Sequence, residues 1–163
     1  MIEPLVKTIE VPCDQKQAFT VFLEMGSWWP TNRFATSVMR GQSVKTIRVD
    51  AKQGGRIVEV SSDGQEHLWG TIRTYDPYDY INMDFHVPHP SEKNPGFSTV
   101  EVRFTVLAKH RTRVELTQSN WEGLGAAAAS EKGYRQAWVM IFEGAYKAAC
   151  SGVISADKNV LGG

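Results

Sequence analysis

The chain contains few cysteines and no apolar run long enough to cross a membrane. Its 163 residues include two cysteines, Cys13 and Cys150, which stand near opposite ends of the sequence. Cysteines so far apart form neither a disulfide framework nor a metal-binding pair, so we expect reduced thiols and a cytoplasmic protein. The longest strongly apolar stretch, residues 137–142, is far shorter than the roughly 20 residues of a membrane-spanning helix. The first residues also lack the basic and apolar regions that are typical of a signal peptide.

An excess of charge of one sign is absent as well. Lysine and arginine total 18, aspartate and glutamate total 18, and the formal net charge is +0. Nucleic-acid-binding domains normally carry a basic excess, and a polybasic membrane anchor needs a basic cluster. We therefore expect no nucleic acid among the partners, no polybasic membrane anchor and no membrane span. The length fits one domain with its own hydrophobic core.

The periodicity of the apolar residues predicts one strand, a short helical region, an antiparallel meander and a long final helix. In residues 99–108, for example, Val100, Val102, Phe104 and Val106 alternate with polar side chains, which is typical of a half-buried strand. The predicted strands cover residues 5–11, 43–49, 56–60, 67–75, 80–87, 99–108 and 113–119. The first helix follows the N-cap candidate Asp14 and ends at Gly26, and residues 27–30 form a second short element.

The last predicted element, a helix over about residues 130–150, is the one that covers the sheet. A twisted sheet with one apolar face must be covered, and no other predicted element is long enough. The pattern therefore predicts one α+β domain over residues 1–150, followed by a flexible tail over residues 151–163. The helix carries its apolar residues at helical spacing, as Tyr134, Trp138, Ile141, Phe142, Ala145 and Ala149.

This order of elements resembles that of the START-like, or Bet v 1-like, helix-grip domains of the SRPBCC superfamily. The local motifs of the chain are Trp28-Trp29-Pro30, Gly54-Gly55-Arg56, Glu59, Asp63-Gly64, Trp69-Gly70, Asp76-Pro77, residues 99–102, residues 112–116, Asn120-Trp121-Glu122 and Trp138. These motifs resemble those of one branch, the bacterial proteins related to the C-terminal domain of the activator of Hsp90 ATPase. The resemblance implies a curved antiparallel sheet of about six to seven strands around the long C-terminal helix, with two short helices after the first strand.

The chain departs from that family pattern in its last strand. Many relatives carry a histidine just before the turn that follows the strand, whereas this chain reads Thr117-Gln118-Ser119-Asn120-Trp121. Gln118 can hydrogen-bond in two ways but does not titrate near neutral pH.

Two motifs suggest nucleotide or metal binding, but each has a simpler structural explanation. Residues 123–128, Gly-Leu-Gly-Ala-Ala-Ala, imitate a dinucleotide-binding fingerprint, but no second parallel strand follows, so we interpret them as a flexible linker. His86 and His89, with His67 as a third candidate, have a spacing that metal sites use. Because they sit at or near a proline-bearing loop, we interpret them as solvated, and we predict no metal.

Three carboxylates are candidates for acid–base chemistry. Strand alternation directs Glu101 and Asp84 towards solvent, whereas Glu59 lies in a strand whose two faces are hard to distinguish. A pocket-facing Glu59 would need a donor partner or a raised pKa. We predict no catalytic residue and no cofactor.

Together with the resemblance, these patterns predict non-catalytic binding of a small apolar or amphipathic molecule between sheet and last helix. Trp28 and Trp69 are expected at the rim of the cavity, while Gln118, Glu59 and Arg56 would orient polar groups. The apolar contacts would be Phe85, Val102, Phe104, Leu116, Tyr134, Trp138 and Phe142. The resemblance leaves two alternatives open: an Hsp90-linked co-chaperone or stress-response interaction, and a cyclase- or hydrolase-type enzyme acting on an aromatic or polyketide-like substrate.

Overall fold

The computed structural model describes residues 2–152, apart from the side chain of residue 126. Within them, seven antiparallel strands form one sheet in the order β1-β7-β6-β5-β4-β3-β2. Only the β1–β7 pairing joins segments that are distant in sequence, so the sheet is a meander closed on one side by the first strand. The strands are β1 Leu5–Val11, β2 Val44–Val49, β3 Arg56–Ser61, β4 Glu66–Asp76, β5 Tyr80–Phe85, β6 Ser98–Ala108 and β7 Arg111–Ser119.

Three short helices separate β1 from β2. These are α1 Gln15–Leu23, α2 Met25–Trp28 and α3 Thr36–Met39. The Asp14 side chain caps α1 by accepting a hydrogen bond of 2.8 Å from the backbone N–H of Gln17, as the sequence predicts.

The last helix follows β7 through a segment of 3-10 helix, Trp121–Ser130, which bends sharply at Gly125 (φ 62°). This segment corrects the interpretation of residues 123–128 as a flexible linker. The helix then runs as α4 Glu131–Trp138, continues as a π-helical segment Val139–Tyr146 and ends with residues 147–152. The predicted tail lies outside the described residues from position 153 onward.

The concave face of the sheet and the last helix enclose one aromatic-rich core. The predicted inward residues of β6 and β7, such as Val102 and Leu116, are fully buried. Val106 is an exception, because the β6–β7 register shifts there and its side chain is 58% exposed. The predicted arrangement of a curved antiparallel sheet and a long C-terminal helix is confirmed. No described helix is long and apolar enough to cross a membrane.

The π-helical segment changes which residues the last helix buries. Its i→i+5 bonding puts more residues into each turn, so the buried stripe moves along the sequence. Tyr146 and Cys150 are fully buried, whereas the predicted Ala145 and Ala149 are only half-buried.

Candidate functional site

An open groove of about 480 Å³ lies beside the last helix. One wall is the loop between α2 and α3, together with α3 itself, and the other is the start of the last helix. Such a volume falls within the range of small-molecule sites, roughly 300–1,000 Å³. The described lining residues are Trp29, Arg33, Phe34, Ala35, Met39, Val87, Ser130, Gly133, Tyr134, Gln136, Ala137, Met140 and Ile141.

The loop wall is folded tightly onto itself. The backbone N–H groups of Arg33 and Phe34 both donate to the carbonyl of Pro30, at 3.2 Å each. The indole N–H of Trp29 donates to the Phe34 carbonyl at 2.7 Å. Trp29 is buried beneath the groove, so these bonds fix the neighbouring Arg33 and Phe34 along its edge.

The buried carboxylate of Glu59 attaches this wall to the sheet. One oxygen, Oε1, accepts from the Thr36 backbone N–H and from the indole of Trp69, both at 2.9 Å. The other, Oε2, accepts from the Ser37 backbone N–H at 2.6 Å and from the Ser37 hydroxyl. A carboxylate offers about four acceptor positions, and all four are occupied by protein donors. Glu59 therefore holds the start of α3 against β3.

A polar chain continues from Ser37 to the surface. The Ser37 hydroxyl meets that of Ser61, which lies 3.0 Å from Nε2 of His67. Arg40 closes the chain through an ion pair of 2.9 Å with Asp63, and this hydrogen bond lowers the pKa of Asp63. Among the described residues, every buried side-chain nitrogen and oxygen has a hydrogen-bond partner.

A second cluster connects the helix wall to the loop after β5. The Tyr134 hydroxyl accepts from the Val87 backbone N–H at 2.7 Å and lies 2.8 Å from Nδ1 of His86. Since the hydroxyl proton is then free to point at Nδ1, we assign the proton of His86 to Nε2, which is 3.1 Å from both oxygens of Glu92. Burial raises the pKa of the Tyr134 phenol well above its ordinary value.

This cluster corrects the interpretation of His86 as a solvated side chain. His86 is only 2% exposed, because Tyr134 and Glu92 supply partners for both ring nitrogens. His89 is exposed and contacts Ser91, and His67 contacts Ser61. The three histidines thus bond to different partners, and no group of three or more potential metal ligands occurs within residues 2–152.

Beneath the groove the core is filled by aromatic rings. The Trp29 and Trp69 ring centres lie 4.8 Å apart, and those of Phe85 and Trp138 lie 5.7 Å apart. Gln118 is fully buried among these rings. Its Nε2 donates to the Ser98 hydroxyl at 2.9 Å, and its Oε1 accepts from the Trp138 indole at 2.7 Å.

The predicted site residues fall into three groups. Tyr134 lines the groove, Arg56 is exposed at the start of β3, and the other ten are buried. Trp28 and Trp69 do not lie at a rim, because their indole N–H groups are bonded to the Val21 carbonyl and to Glu59 inside the protein. Direct ligand contact stays a prediction for all twelve residues. The buried ten are Trp28, Glu59, Trp69, Phe85, Val102, Phe104, Leu116, Gln118, Trp138 and Phe142.

Sequence reasoning missed most of the groove's lining. Arg33, Phe34 and Met39 lie in a stretch with neither a regular period nor a motif. Met140 lies on the side of the last helix that the apolar stripe leaves out. The one usable signal was the Trp28-Trp29-Pro30 motif, which marks the start of this wall.

The fold and the groove define a helix-grip domain with a packed core and an apolar groove beside its C-terminal helix. The family model described as "Activator of Hsp90 ATPase homolog 1-like protein" matches residues 17–145. Because this match covers well over half of the chain, the protein belongs to that family. The predicted resemblance is thereby confirmed. A comparison with curated protein sequences finds no match.

Solved structures with the same fold have diverse descriptions. The anthrahydroquino-gamma-pyrone synthase Txn09, described as complexed with SUM, is 24% identical, with a TM-score of 0.61 over 93% of this chain and 97% of its own. The self-sacrificing resistance protein CalC from Micromonospora echinospora is 23% identical, with a TM-score of 0.60 over 94% and 95%. An HSP90 activator from Plasmodium falciparum is 18% identical, with a TM-score of 0.50 over 84% and 93%. At these identities the similarity shows the fold alone.

Proposed function

We propose that the protein binds a small apolar or amphipathic molecule in the groove, without catalysing a reaction. The observation that carries this proposal is the groove itself, whose walls present Trp29, Phe34 and Tyr134 with a few polar groups. Small-molecule sites typically combine an apolar lining with a small number of polar contacts. The bonds of Pro30, Glu59 and Tyr134 preform both walls, which reduces the ordering cost of binding.

Gly133 provides a test that separates binding from folding. It lines the groove, and a Cβ atom placed on it would meet nothing within 4 Å. In Gly133→Leu the new side chain would occupy groove volume, while replacing a helical glycine stabilises the helix by up to about 1 kcal/mol. Ala148→Leu, an exposed position on the same helix outside the groove lining, is the matched control.

The experiment maps NMR chemical shifts with fatty acids, aromatic acids and flavonoid-like compounds. We expect shifts at Trp29, Tyr134 and Met140. The affinity derived from them should be about tenfold or more weaker in Gly133→Leu and unchanged in Ala148→Leu. A set of compounds that shifts none of these residues would contradict the proposal. Mass spectrometry of molecules that copurify with the native protein would identify the natural ligand.

An Hsp90-linked interaction is the first alternative function. The family name suggests it, and apolar side chains beside the groove favour a protein contact: Met39, Val139 and Met140 are each 41–47% exposed. Capture of the host Hsp90 on the immobilised protein, abolished by Met140→Glu, would support this alternative over a small ligand.

An enzyme is the second alternative, and the Tyr134–His86–Glu92 cluster favours it. The hydroxyl, the imidazole and the carboxylate are hydrogen-bonded one after another, and such groups move protons in general acid–base catalysis. Turnover of an aromatic or polyketide-like compound that is lost in His86→Gln, while binding persists, would support a cyclase- or hydrolase-type reaction.

A further inference from the structure

We infer that the groove selects flat aromatic molecules that carry a negatively charged group, and that Arg33 recognises the charge. This inference rests on the proposed function and specifies the class of ligand. It follows from the charge of the groove, from the surroundings of Arg33 and from the chemistry of the apolar walls.

Arg33 is the only charged side chain among the described lining residues. The remaining polar groups there are neutral, namely the side chains of Ser130, Tyr134 and Gln136. A groove with one cation and no carboxylate favours an anion over a neutral or positively charged molecule.

The guanidinium of Arg33 also has no acidic partner among residues 2–152. Five arginines in this part of the chain pair with carboxylates, for example Arg40 with Asp63 and Arg73 with Asp84. Arg33 instead places its Nη1 atom 3.5 Å from the sulfur of Met140 and its Cζ atom 5.7 Å from the Phe34 ring centre. The acceptor that Nη1 meets, the Met140 thioether, is a weak one, whereas a carboxylate could bind two of the exposed N–H donors in bidentate fashion.

The position of Arg33 is fixed before any ligand arrives. Its backbone N–H is bonded to the Pro30 carbonyl, and the next residue, Phe34, is held by the Trp29 indole. Because the backbone is set, binding an anion orders only the side chain of Arg33.

The apolar walls favour an aromatic body over an alkyl chain. Trp29, Phe34 and Tyr134 contribute rings, which prefer offset-stacked or edge-to-face contacts with other rings. Met39 and Met140 contribute thioethers, whose sulfur atoms make favourable contacts with aromatic rings. Two walls of this composition would accept a planar ring system between them, with its charged group at Arg33.

The test compares naphthoate with naphthamide, which have the same ring system and differ in charge. Affinities are measured by isothermal titration calorimetry at low and high NaCl, with NMR to confirm binding in the groove. We expect naphthoate to bind about three- to tenfold more tightly at low salt, the range for a partly exposed ion pair. The preference should shrink in high salt, because salt screens exposed charges.

Three variants assign the effect to Arg33. Arg33→Gln should bring the two affinities together, and Arg33→Lys should keep part of the preference, since it keeps the charge but loses bidentate geometry. Arg113→Gln, an exposed arginine on β7 outside the groove lining, should change nothing. Decanoate, an anion with an alkyl body, should bind more weakly than naphthoate.

The outcomes distinguish this inference from the proposed function. Equal affinities in the native protein, or a preference that persists in Arg33→Gln, would overturn the role of Arg33 while leaving groove binding intact. Decanoate binding as tightly as naphthoate would overturn the aromatic part. If none of the three compounds, and none of the wider set of acids and flavonoid-like compounds, shifts the groove residues, the proposed function itself is overturned.

Discussion

Replacing Glu59 tests the contact that fixes one wall of the groove. The carboxylate is fully buried and accepts four hydrogen bonds, from the backbone N–H groups of Thr36 and Ser37, the Ser37 hydroxyl and the Trp69 indole. In Glu59→Gln one oxygen becomes an amide NH2 group. Two of the four donors then lose their acceptor, and the new N–H groups point at other donors.

The expected loss of stability is large. Leaving a buried donor unpaired costs about 1–3 kcal/mol, and removing one partner of a buried charged network costs about 3–5 kcal/mol. We therefore expect Glu59→Gln to lower the free energy of unfolding by about 4 kcal/mol. For a slope of about 2 kcal/mol per M in urea, the unfolding midpoint should fall by about 2 M.

The control for this substitution is Glu66→Gln on β4. Glu66 is exposed and forms only a surface ion pair with Arg48, so we expect a change within about 0.5 kcal/mol. Amide hydrogen exchange gives a second readout at moderate destabilisation, since Thr36 and Ser37 should exchange faster than the β-sheet amides. A Glu59→Gln protein that unfolds at the native urea midpoint, with protected Thr36 and Ser37 amides, would refute this account of the wall.

Three further predictions concern the core, the pH range and metals. Trp138→Ala should lower the free energy of unfolding by about 3–5 kcal/mol, because it removes a buried indole and orphans the Oε1 atom of Gln118; an unchanged urea midpoint would contradict the packing of the last helix. Burial raises the pKa of the Tyr134 and Tyr146 phenols above their unfolded value of about 10, so the folded protein keeps protons that the unfolded chain loses. Stability should therefore fall as pH rises above 10, by up to about 1.4 kcal/mol per pH unit for each phenol, whereas urea midpoints constant between pH 9 and about 11 would oppose this. EDTA should leave the thermal midpoint unchanged, and a fall of several degrees would point to a metal that supports the fold.

The sequence by itself determined the fold class and most of the sheet. Alternation in β6 and β7 identifies the inward residues, because successive side chains of a strand point to opposite faces. The helical stripe through Tyr134, Trp138 and Phe142 identifies the element that covers the sheet. These are local periodicities, which each segment carries within itself.

Only the tertiary structure decided the contacts between distant segments. Cys13 and Cys150 stand at opposite ends of the sequence, yet both thiols are buried as neighbours, and the proximity of Cys150 together with burial raises the pKa of Cys13. The pairing follows from the last helix crossing the start of α1, where the Tyr146 hydroxyl donates to the Ala18 carbonyl. No local pattern of residues marks such a crossing.

The roles of Glu59 and His86 were likewise decided by the tertiary structure. A buried carboxylate and a buried imidazole look like surface residues in a sequence, since charged and polar groups are usually exposed. Their burial depends on donors and acceptors from segments up to 48 residues away, such as Tyr134 for His86. The groove has the same origin: its walls come from the loop before α3 and from the last helix, and only their packing creates the space between them. A sequence records which side chains are available, but a site forms where chain crossings bring them within hydrogen-bonding and van der Waals distance.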